Sequence, residues 1–382
     1  MSMTSAVAIK KHFAQLRDPR VRRRRRHRLL DIVVIAICGV IGDCDTWQDM
    51  EIFAETHAAW LRRFLSLRNG IPSHDTLERV FNRLDPRVFS VCFCRWVQAL
   101  SEALGLPHVA IDGKTLRRSF TRSAGLGPLH LVSAWATEQK LILGQVAVDR
   151  KSNEITAIPQ LLELLDLKGA LVTVDAMGCQ KEIARKIVDQ GGDYVLTVKE
   201  NQPRLLDDIQ ATVQRALDGE LPARKVDEYT RDDRGHGREE QRSYVVVQHV
   251  EGIRDRGQWP KLKVVGMCVS ERKVKGGASS SETRYFIGSR RGSARFYGRM
   301  LRHHWGIENQ LHWQLNVSCR EDDSRIQKRH GATNFALLRR VAVSLLKQNR
   351  CKRSIRGKRK MAAIDTAFLE EILRGPREGG KV

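Results

Sequence analysis

Apolar and polar residues follow different periods in successive parts of the chain. Up to about residue 105 the period is helical, and an apolar run at 29–37 is typical of a buried core helix. Amphipathic segments at 47–54, 71–81 and 89–104 predict three more helices. We therefore expect this first region to be helical throughout.

From residue 108 onward, short apolar runs alternate with helical segments. The runs predict strands at 108–112, 129–136, 141–148, 170–175 and 193–199. Helical periodicity predicts helices at 155–165, 181–189 and 203–217. This order of elements is typical of an α/β fold in which helices cover a mixed sheet.

The remainder of the chain is first strand-like and then helical. Candidate strands lie at 244–250, 262–269 and 283–287. Helical periodicity returns at Ala294 and continues, with a break, to about Gln348. The tail from residue 351 is basic and contains one more predicted helix at 365–373.

The net charge indicates the class of partner. The 382 residues include 67 Lys and Arg against 44 Asp and Glu, a formal net charge of +23. A field of this sign favours a polyanion, because each neutralised phosphate releases condensed counterions. Nucleic acid is the expected partner, with a ribosome-associated or membrane-surface protein as the alternatives.

Neither the cysteines nor the most apolar segment changes this expectation. The eight cysteines contain no C-x-x-C pair, so they support neither a zinc finger nor a redox motif, and free thiols suit a reducing cytosol. The apolar run at 32–41 follows the basic residues 22–26, but it is far shorter than the ~20 residues needed to span a bilayer. We expect a cytoplasmic protein without a membrane segment.

Two aspartates follow predicted strands of the α/β region. Asp112 ends one strand and precedes Gly113 and Lys114, and Asp175 ends the strand at 170–175 and precedes small residues. Ligands bind at the carboxyl ends of strands in open sheets. Two carboxylates at one edge repel each other unless a cation compensates them, and Mg²⁺ prefers oxygen ligands. Each Asp taken alone would more often be a turn or cap residue.

A third acid is expected in the aromatic and histidine-rich segment 302–313. If this segment is one helix, His304, Glu308 and His312 share a face. Glu308 is the preferred metal ligand, and the competing acids are Glu321 and Asp322. A core-packed histidine pair remains an alternative, and a zinc site is weaker, because H-x-x-x-E-x-x-x-H is not the metalloprotease motif.

These residues lie within motifs that resemble the H-repeat-associated family of bacterial insertion-sequence transposases. In chain order they are Pro72-Ser73-His74-Asp75-Thr76, Ala110-Ile111-Asp112-Gly113-Lys114-Thr115-Leu116-Arg117, Lys151-Ser152-Asn153-Glu154-Ile155, Thr173-Val174-Asp175-Ala176-Met177-Gly178-Cys179-Gln180-Lys181, Lys199-Glu200-Asn201-Gln202, Gly235-His236-Gly237-Arg238 and His304-Trp305-Gly306-Ile307-Glu308-Asn309-Gln310-Leu311-His312-Trp313. Any one motif is weak evidence. Seven in order over nearly the whole chain are strong evidence.

The resemblance implies a DDE transposase with a ribonuclease-H-like core, in which Asp112, Asp175 and Glu308 hold two Mg²⁺ or Mn²⁺ ions. It also implies a division into an N-terminal helical, DNA-end-binding or scaffold domain (1–105), the first part of the core (106–220), a β-rich insertion (221–292), a helical completion of the core (293–350) and a basic tail (351–382). Related families carry a Tyr, an Arg and a Lys where this chain has Leu301, His304 and Leu315, so those DNA-contacting roles do not transfer. An Asp of the family pattern is replaced by Asn316.

The expected activity is metal-dependent cleavage of DNA at the ends of an insertion sequence, followed by transfer of the freed strand to target DNA. Candidate DNA-binding residues near the acids are Lys114, Arg117, Arg118, Lys199, Asn201, Gln202, His304, Trp305 and His312. The expected assembly is a homodimer or higher oligomer on DNA, associated with the nucleoid. The alternatives are a non-catalytic DNA-binding regulator and a nuclease without strand transfer.

Overall fold

A computed structural model describes residues 11–101, 108–119, 128–148, 153–235, 238–274 and 279–375. Four motif residues lie outside the described residues, namely Lys151, Ser152, His236 and Gly237. The end of the helix predicted at 89–104 and the tail beyond residue 375 lie outside them as well.

The described chain forms 13 α-helices and nine strands. The helices are α1 (Leu29–Ile41), α2 (Trp47–Thr56), α3 (Ala58–Leu61), α4 (His74–Phe81), α5 (Pro86–Ser101), α6 (Glu154–Leu162), α7 (Lys181–Asp189), α8 (Pro203–Leu217), α9 (Ala294–His304), α10 (Trp313–Val317), α11 (Gly331–Gln348), α12 (Ile355–Ile364) and α13 (Thr366–Arg374). The strands are β1 (His108–Leu116), β2 (Leu129–Ala136), β3 (Leu141–Ala147), β4 (Leu171–Val174), β5 (Asp193–Val198), β6 (Val226–Gly235), β7 (Arg238–Val247), β8 (Val264–Val274) and β9 (Ser279–Gly288).

The strands pair in the order β3-β2-β1-β4-β5-β9-β8-β7-β6. Strand β4 runs parallel to both β1 and β5, whereas β2 with β3 and the series β5-β9-β8-β7-β6 are antiparallel. The expected α/β fold with a mixed sheet, a β-rich insertion and helical ends is confirmed.

The β-rich segment is larger than the sequence pattern predicts. Four strands form, not three, and the missed strand β6 pairs with β7 from Val226↔Val247 to Gly235↔Arg238. Its residues are mostly charged or polar and half-buried to exposed, so they present no apolar alternation to detect. Strand β1 also continues beyond Asp112 to Leu116, although its parallel pairing with β4 ends at Ile111↔Val174.

The chain divides into two compact units, and the second contains residues 106–112 and 152–307. Its hydrophobic core lies where helix α9 covers the sheet. Tyr297 of this helix stacks on Phe286 of β9, with ring centroids 5.2 Å apart, and Tyr244 of β7 belongs to the same cluster. Aromatic side chains of this size contribute much of the apolar area that stabilises such a core.

The first unit contains residues 1–105, 113–151 and 308–382. Helix α1 is buried at every position except Leu30, as its apolar sequence predicts. Trp47 stacks on Phe81, with ring centroids 5.1 Å apart. It also makes an edge-to-face contact with Phe335 of α11, with ring centroids 4.9 Å apart. Helices from both ends of the sequence therefore share one core within this unit.

The basic tail is more ordered and more buried than its composition indicates. It forms α12 in addition to α13, which corrects the expectation of a single helix there. Arg359 on α12 is fully buried, and its guanidinium donates to the Val40 carbonyl at 3.1 Å and pairs with Asp43 at 3.0 Å and Asp45 at 3.1 Å. These bonds satisfy a charge that would otherwise be costly to bury. None of the described helices is long and apolar enough to cross a membrane.

Candidate active site

Asp112 and Asp175 lie on neighbouring parallel strands at the centre of the sheet. Each directly follows the last residue pair of the β1–β4 ladder, Ile111 with Val174. The two aspartates therefore occupy corresponding positions, each one residue beyond the end of the paired ladder.

The surroundings of Asp175 favour a nearby cation. Burial raises the pKa of its carboxyl, and the negative charge of Glu154 raises it further. The backbone N–H of Gly178, which donates to Asp175 Oδ1 at 3.3 Å, and the charge of Lys199 act in the opposite direction without reversing the shift. Glu154 was not among the predicted site residues, although it lies in a motif that carries the family resemblance.

The loop that follows Asp175 is held by two amide side chains. Asn201 Nδ2 donates to the Ala176 carbonyl at 2.7 Å, and Gln202 Nε2 donates to the Cys179 carbonyl at 2.9 Å. The expected role of both residues as DNA contacts stays a prediction. Their donors hold the backbone of the Asp175 loop, and the sequence alone could not show which partner they choose.

Gly178 is required in this loop by close packing. A Cβ atom there would lie 2.3 Å from Val174 Cγ1 and 2.9 Å from Ile158 Cδ1. We expect Gly178→Ala to lower the free energy of unfolding by about 1–3 kcal/mol, because neither neighbour can move without disturbing the strand or helix that carries it. Urea denaturation measures the change. Gly257→Ala is the matched control, since a Cβ at Gly257 meets nothing within 4 Å; equal stability of the two variants would contradict this packing argument.

His304 is a core residue rather than a DNA-binding one, which corrects the expectation for it. Thr173 Oγ1 lies within hydrogen-bond distance of both imidazoles, 3.0 Å from His304 Nδ1 and 2.9 Å from His108 Nε2. His304 is only 6% exposed. Leu301 and Leu315, which stand where related families carry a Tyr and a Lys, are buried as well. The alternative of core-packed histidine applies to His304.

Burial also fixes the charge state of this histidine pair. It lowers the pKa of His304 to about 4 and that of His108 to about 3. Protons therefore bind the unfolded chain more readily, and the stability that these groups contribute is complete above their ordinary pKa of 6.5 and is lost as pH falls.

The unfolding free energy of the unsubstituted chain should fall as pH decreases from 6.5 to 4, in part because His304 takes up a proton on unfolding. We expect His304→Gln to remove this part, about 1.4 kcal/mol for each pH unit over that range. Urea denaturation at a series of pH values gives the slope. The unsubstituted chain, measured in the same buffers, is the reference for this slope. An unchanged slope in His304→Gln would contradict the buried neutral imidazole.

The side chains of Glu308 and His312 form a hydrogen-bonded pair in the first unit. His312 Nδ1 donates to Glu308 Oε2 at 2.9 Å, and this bond, together with the charge of Lys114, lowers the pKa of Glu308. The Glu308 side chain is 69% exposed, whereas His312 is 3% exposed. His312 therefore orients the carboxylate and is too buried for the DNA contact expected of it.

The helical segment that carries Glu308 is interrupted at Trp305, which forms a turn before Gly306 and Ile307 become helical again. Helix α9 ends at His304, and residues Glu308–His312 form a π-helical turn that leads into α10. A π-helical turn inside a helix commonly marks a functional position. Glu308 and His312 lie on one face of this turn, as the hydrogen bond between their side chains requires.

Glu321 and Asp322, the competing acids, have other partners. Glu321 is fully buried and pairs with Arg340 at 2.7 Å and with Lys114 at 2.9 Å, and Lys114 Nζ also contacts Asp322 Oδ1 at 3.2 Å. Burial alone would raise the pKa of Glu321, but the charges of Arg340 and Lys114 outweigh it and lower the pKa to about 2. Glu321 is thus a permanently charged structural anion.

This network also corrects the expectation that Lys114 binds phosphate. Its ammonium is 8% exposed and donates to Asn316 Oδ1 at 2.6 Å as well as to Glu321 and Asp322. A buried ammonium with three acceptors has no donor left for DNA. Asn316 therefore contributes a neutral acceptor at the position where the family pattern has an acid.

The other predicted DNA-binding residues are more accessible. Arg117 is 84% exposed, and Arg118 is 61% exposed and pairs with Asp323 at 3.3 Å. Lys199 is exposed at the end of β5. The half-buried Trp305 lies beneath the guanidinium of Arg284, whose Cζ is 4.0 Å from the ring centroid.

The mixed sheet, with an aspartate directly after the last paired residue of each of two central parallel strands, has a ribonuclease-H-like fold. Comparison with known families agrees with this fold. Residues 103–345 match the model described as a transposase DDE domain, and residues 10–97 match the model of its associated N-terminal region, DDE_Tnp_1-associated. The chain belongs to the DDE transposase family.

Relatives cover nearly the whole chain. The "H repeat-associated putative transposase YhhI" of Escherichia coli K12 is 37% identical over 95% of this chain and 97% of its own length. The "Putative transposase YncI" of Escherichia coli O157:H7 is 38% identical over 95% of this chain and 93% of its own length. The "Uncharacterized protein in dhlA 3'region" of Xanthobacter autotrophicus is 43% identical over 73% of this chain and 94% of its own length. The resemblance to the H-repeat-associated branch is confirmed, and it implies a DNA substrate and a divalent metal ion.

Proposed function

We propose that this chain is an active transposase that cleaves DNA at the ends of an insertion sequence and joins the freed strand to target DNA. Asp112, Asp175 and Glu308 are the proposed metal ligands. The observation that carries the proposal is that Asp112 and Asp175 each directly follow the last paired residue of two central parallel strands.

The three carboxylates fit a divalent ion of the Mg²⁺ type. They offer only oxygen donors, which Mg²⁺ and Mn²⁺ prefer. Burial and the charge of Glu154 raise the pKa of Asp175, so a bound cation would stabilise its charged form. Glu308 is exposed and its lowered pKa keeps it ionised. Two such ions, when bound, supply charge stabilisation for the attacking and leaving oxygens of phosphoryl transfer.

The remaining residues position the substrate and the ligands. His312 orients the Glu308 carboxylate through its 2.9 Å hydrogen bond, and the amides of Asn201 and Gln202 fix the loop after Asp175. Lys199 and Arg117 are exposed cations that we propose contact backbone phosphates. The helices of residues 1–105 are the proposed binding region for element ends.

Incubation with labelled element ends and target DNA tests the proposal. Nicked ends that become joined to target in Mg²⁺, and remain intact in EDTA, are the expected result. Nicks without joining would indicate a nuclease, and binding without nicks would indicate a non-catalytic regulator. We also propose a dimer or higher oligomer on DNA, which mass measurement of the complex with two element ends checks.

A further inference from the structure

A second concave site lies in the unit of residues 106–112 and 152–307, between α9 and the β6–β7 pair. Its volume is about 450 Å³, which is in the range of ligand-binding pockets. Five arginines line it, namely Arg231, Arg242, Arg295, Arg299 and Arg302. Asp233 is the one acid in this lining. We call this site the arginine cavity, and its lining has an excess of positive charge.

The cavity is built from one face of a ladder and one stripe of a helix. Tyr229 pairs with Tyr244 and Arg231 with Arg242 across β6 and β7, so these four side chains share a face. On α9, the basic positions 295, 299 and 302 recur at helical spacing. The charged residues of β6, because of which the apolar pattern does not predict this strand, therefore form part of the cavity lining.

Part of the positive charge has no partner in the described residues. Asp233 pairs with Arg242 at 2.7 Å, Arg231 at 3.0 Å and Arg302 at 3.7 Å. Arg242 also pairs with Glu240, but it is 3% exposed and its Nε finds no acceptor in the part of the chain that is described. Arg295 and Arg299 are exposed, and neither has an ion pair among those residues. The unmet donors and the surplus charge both favour an anion.

The aromatic lining narrows the kind of anion. Tyr229 and Phe296 are half-buried in the wall, and the Arg295 guanidinium lies over Tyr229 with its Cζ 5.9 Å from the ring centroid. Arginines beside aromatic rings hold phosphates and stacked bases of unpaired strands. The bases of a duplex are stacked inside it and cannot reach the aromatic lining of a cavity of this volume, whereas the base of one unpaired nucleotide can.

We propose that the arginine cavity binds an unpaired nucleotide of a DNA strand, with phosphate on Arg295 and Arg299 and the base against Phe296. This rests on the proposed function for the identity of the ligand as DNA. It involves none of the three metal-binding carboxylates, so its test runs in EDTA, where no cleavage takes place.

Fluorescence anisotropy with a labelled oligothymidylate tests the phosphate contacts. Arg295→Ala combined with Arg299→Ala should weaken binding about tenfold and make the log–log salt dependence shallower by about 1.4, the share of two phosphate contacts on a single strand. The control combines Arg185→Ala and Arg215→Ala, two exposed arginines on α7 and α8 of the same unit with the same change in charge. An equal loss in the control overturns the proposal.

A second variant tests the base contact. Phe296→Leu should weaken oligothymidylate binding several-fold, while binding of a duplex of the same length changes little, and its unfolding temperature serves as a check on folding. Equal weakening of both ligands, or of neither, overturns the proposal. Cleavage in Mg²⁺ without arginine-dependent strand binding refutes the cavity alone. Arginine-dependent binding without any cleavage refutes the proposed catalysis alone.

Discussion

The Asp175→Asn variant is expected to lose about a thousandfold or more of the Mg²⁺-dependent cleavage rate, and Asp112→Asn should behave in the same way. Asparagine keeps the size of the side chain but removes the negative charge that holds the cation beside the scissile phosphate. Single-turnover cleavage of a labelled element end gives the rate. Affinity for the same DNA in EDTA should change by only about twofold, because the phosphates are held by other residues.

Asp189→Asn provides the control for this loss. It removes the same charge from an exposed position on α7 and should leave cleavage near the level of the unsubstituted chain. Cleavage that persists in Asp175→Asn would contradict the assignment of this carboxylate. A parallel loss of DNA affinity would instead place Asp175 in substrate binding.

Glu321→Gln is expected to lower the free energy of unfolding by about 3–5 kcal/mol, because it leaves Arg340 and Lys114 buried without their anion. Urea denaturation at neutral pH measures the loss. Asp323→Asn is the matched control, since its pair with Arg118 is 66% and 61% exposed and is expected to contribute about 0–1 kcal/mol. A loss no larger than that of the control would contradict the network.

The same variant has a signature in its pH dependence. The folded chain lowers the pKa of Glu321 from 4.5 to about 2, so its contribution to stability is complete above pH 4.5 and is lost as pH falls toward 2. Glu321→Gln cannot lose this contribution. Its unfolding free energy should therefore fall less steeply in that range than that of the unsubstituted chain.

The sequence predicts the elements that depend on apolar periodicity. The all-apolar run of α1 and the strand β4 before Asp175 both form where expected, because burial on every side requires such a run. Helices α7 and α8 have the predicted bounds, Lys181–Asp189 and Pro203–Leu217. The two aspartates follow from these strands, so half of the candidate site could be predicted from pattern alone.

Elements that bury or line charge could not be found in this way. Strand β6 alternates charged residues because one of its faces lines the arginine cavity, and α12 buries Arg359. A hydrophobicity pattern assigns both segments to the surface. The same limit applies to Lys114, whose burial depends on acids more than 200 residues further along the chain.

The geometry of the third acid depends on a break in helical periodicity. Spacing by four residues places His304, Glu308 and His312 on one face only if the helix continues, but α9 ends at His304. The π-helical turn changes the spacing, and no residue type in the segment signals it. The partner of Glu308 was nevertheless among the predicted residues, since His312 falls within the same turn.

Gene copies interrupted after codon 350 would encode a protein without the Arg359 guanidinium. The Val40 carbonyl and the Ser318 carbonyl, which accept from that side chain, would then stay buried without their donor, and Asp45 would lose its counter-charge. Such a shortened product would keep every proposed metal ligand and still fold poorly. An intact set of acidic codons is therefore insufficient to judge whether a copy of the element encodes a working enzyme.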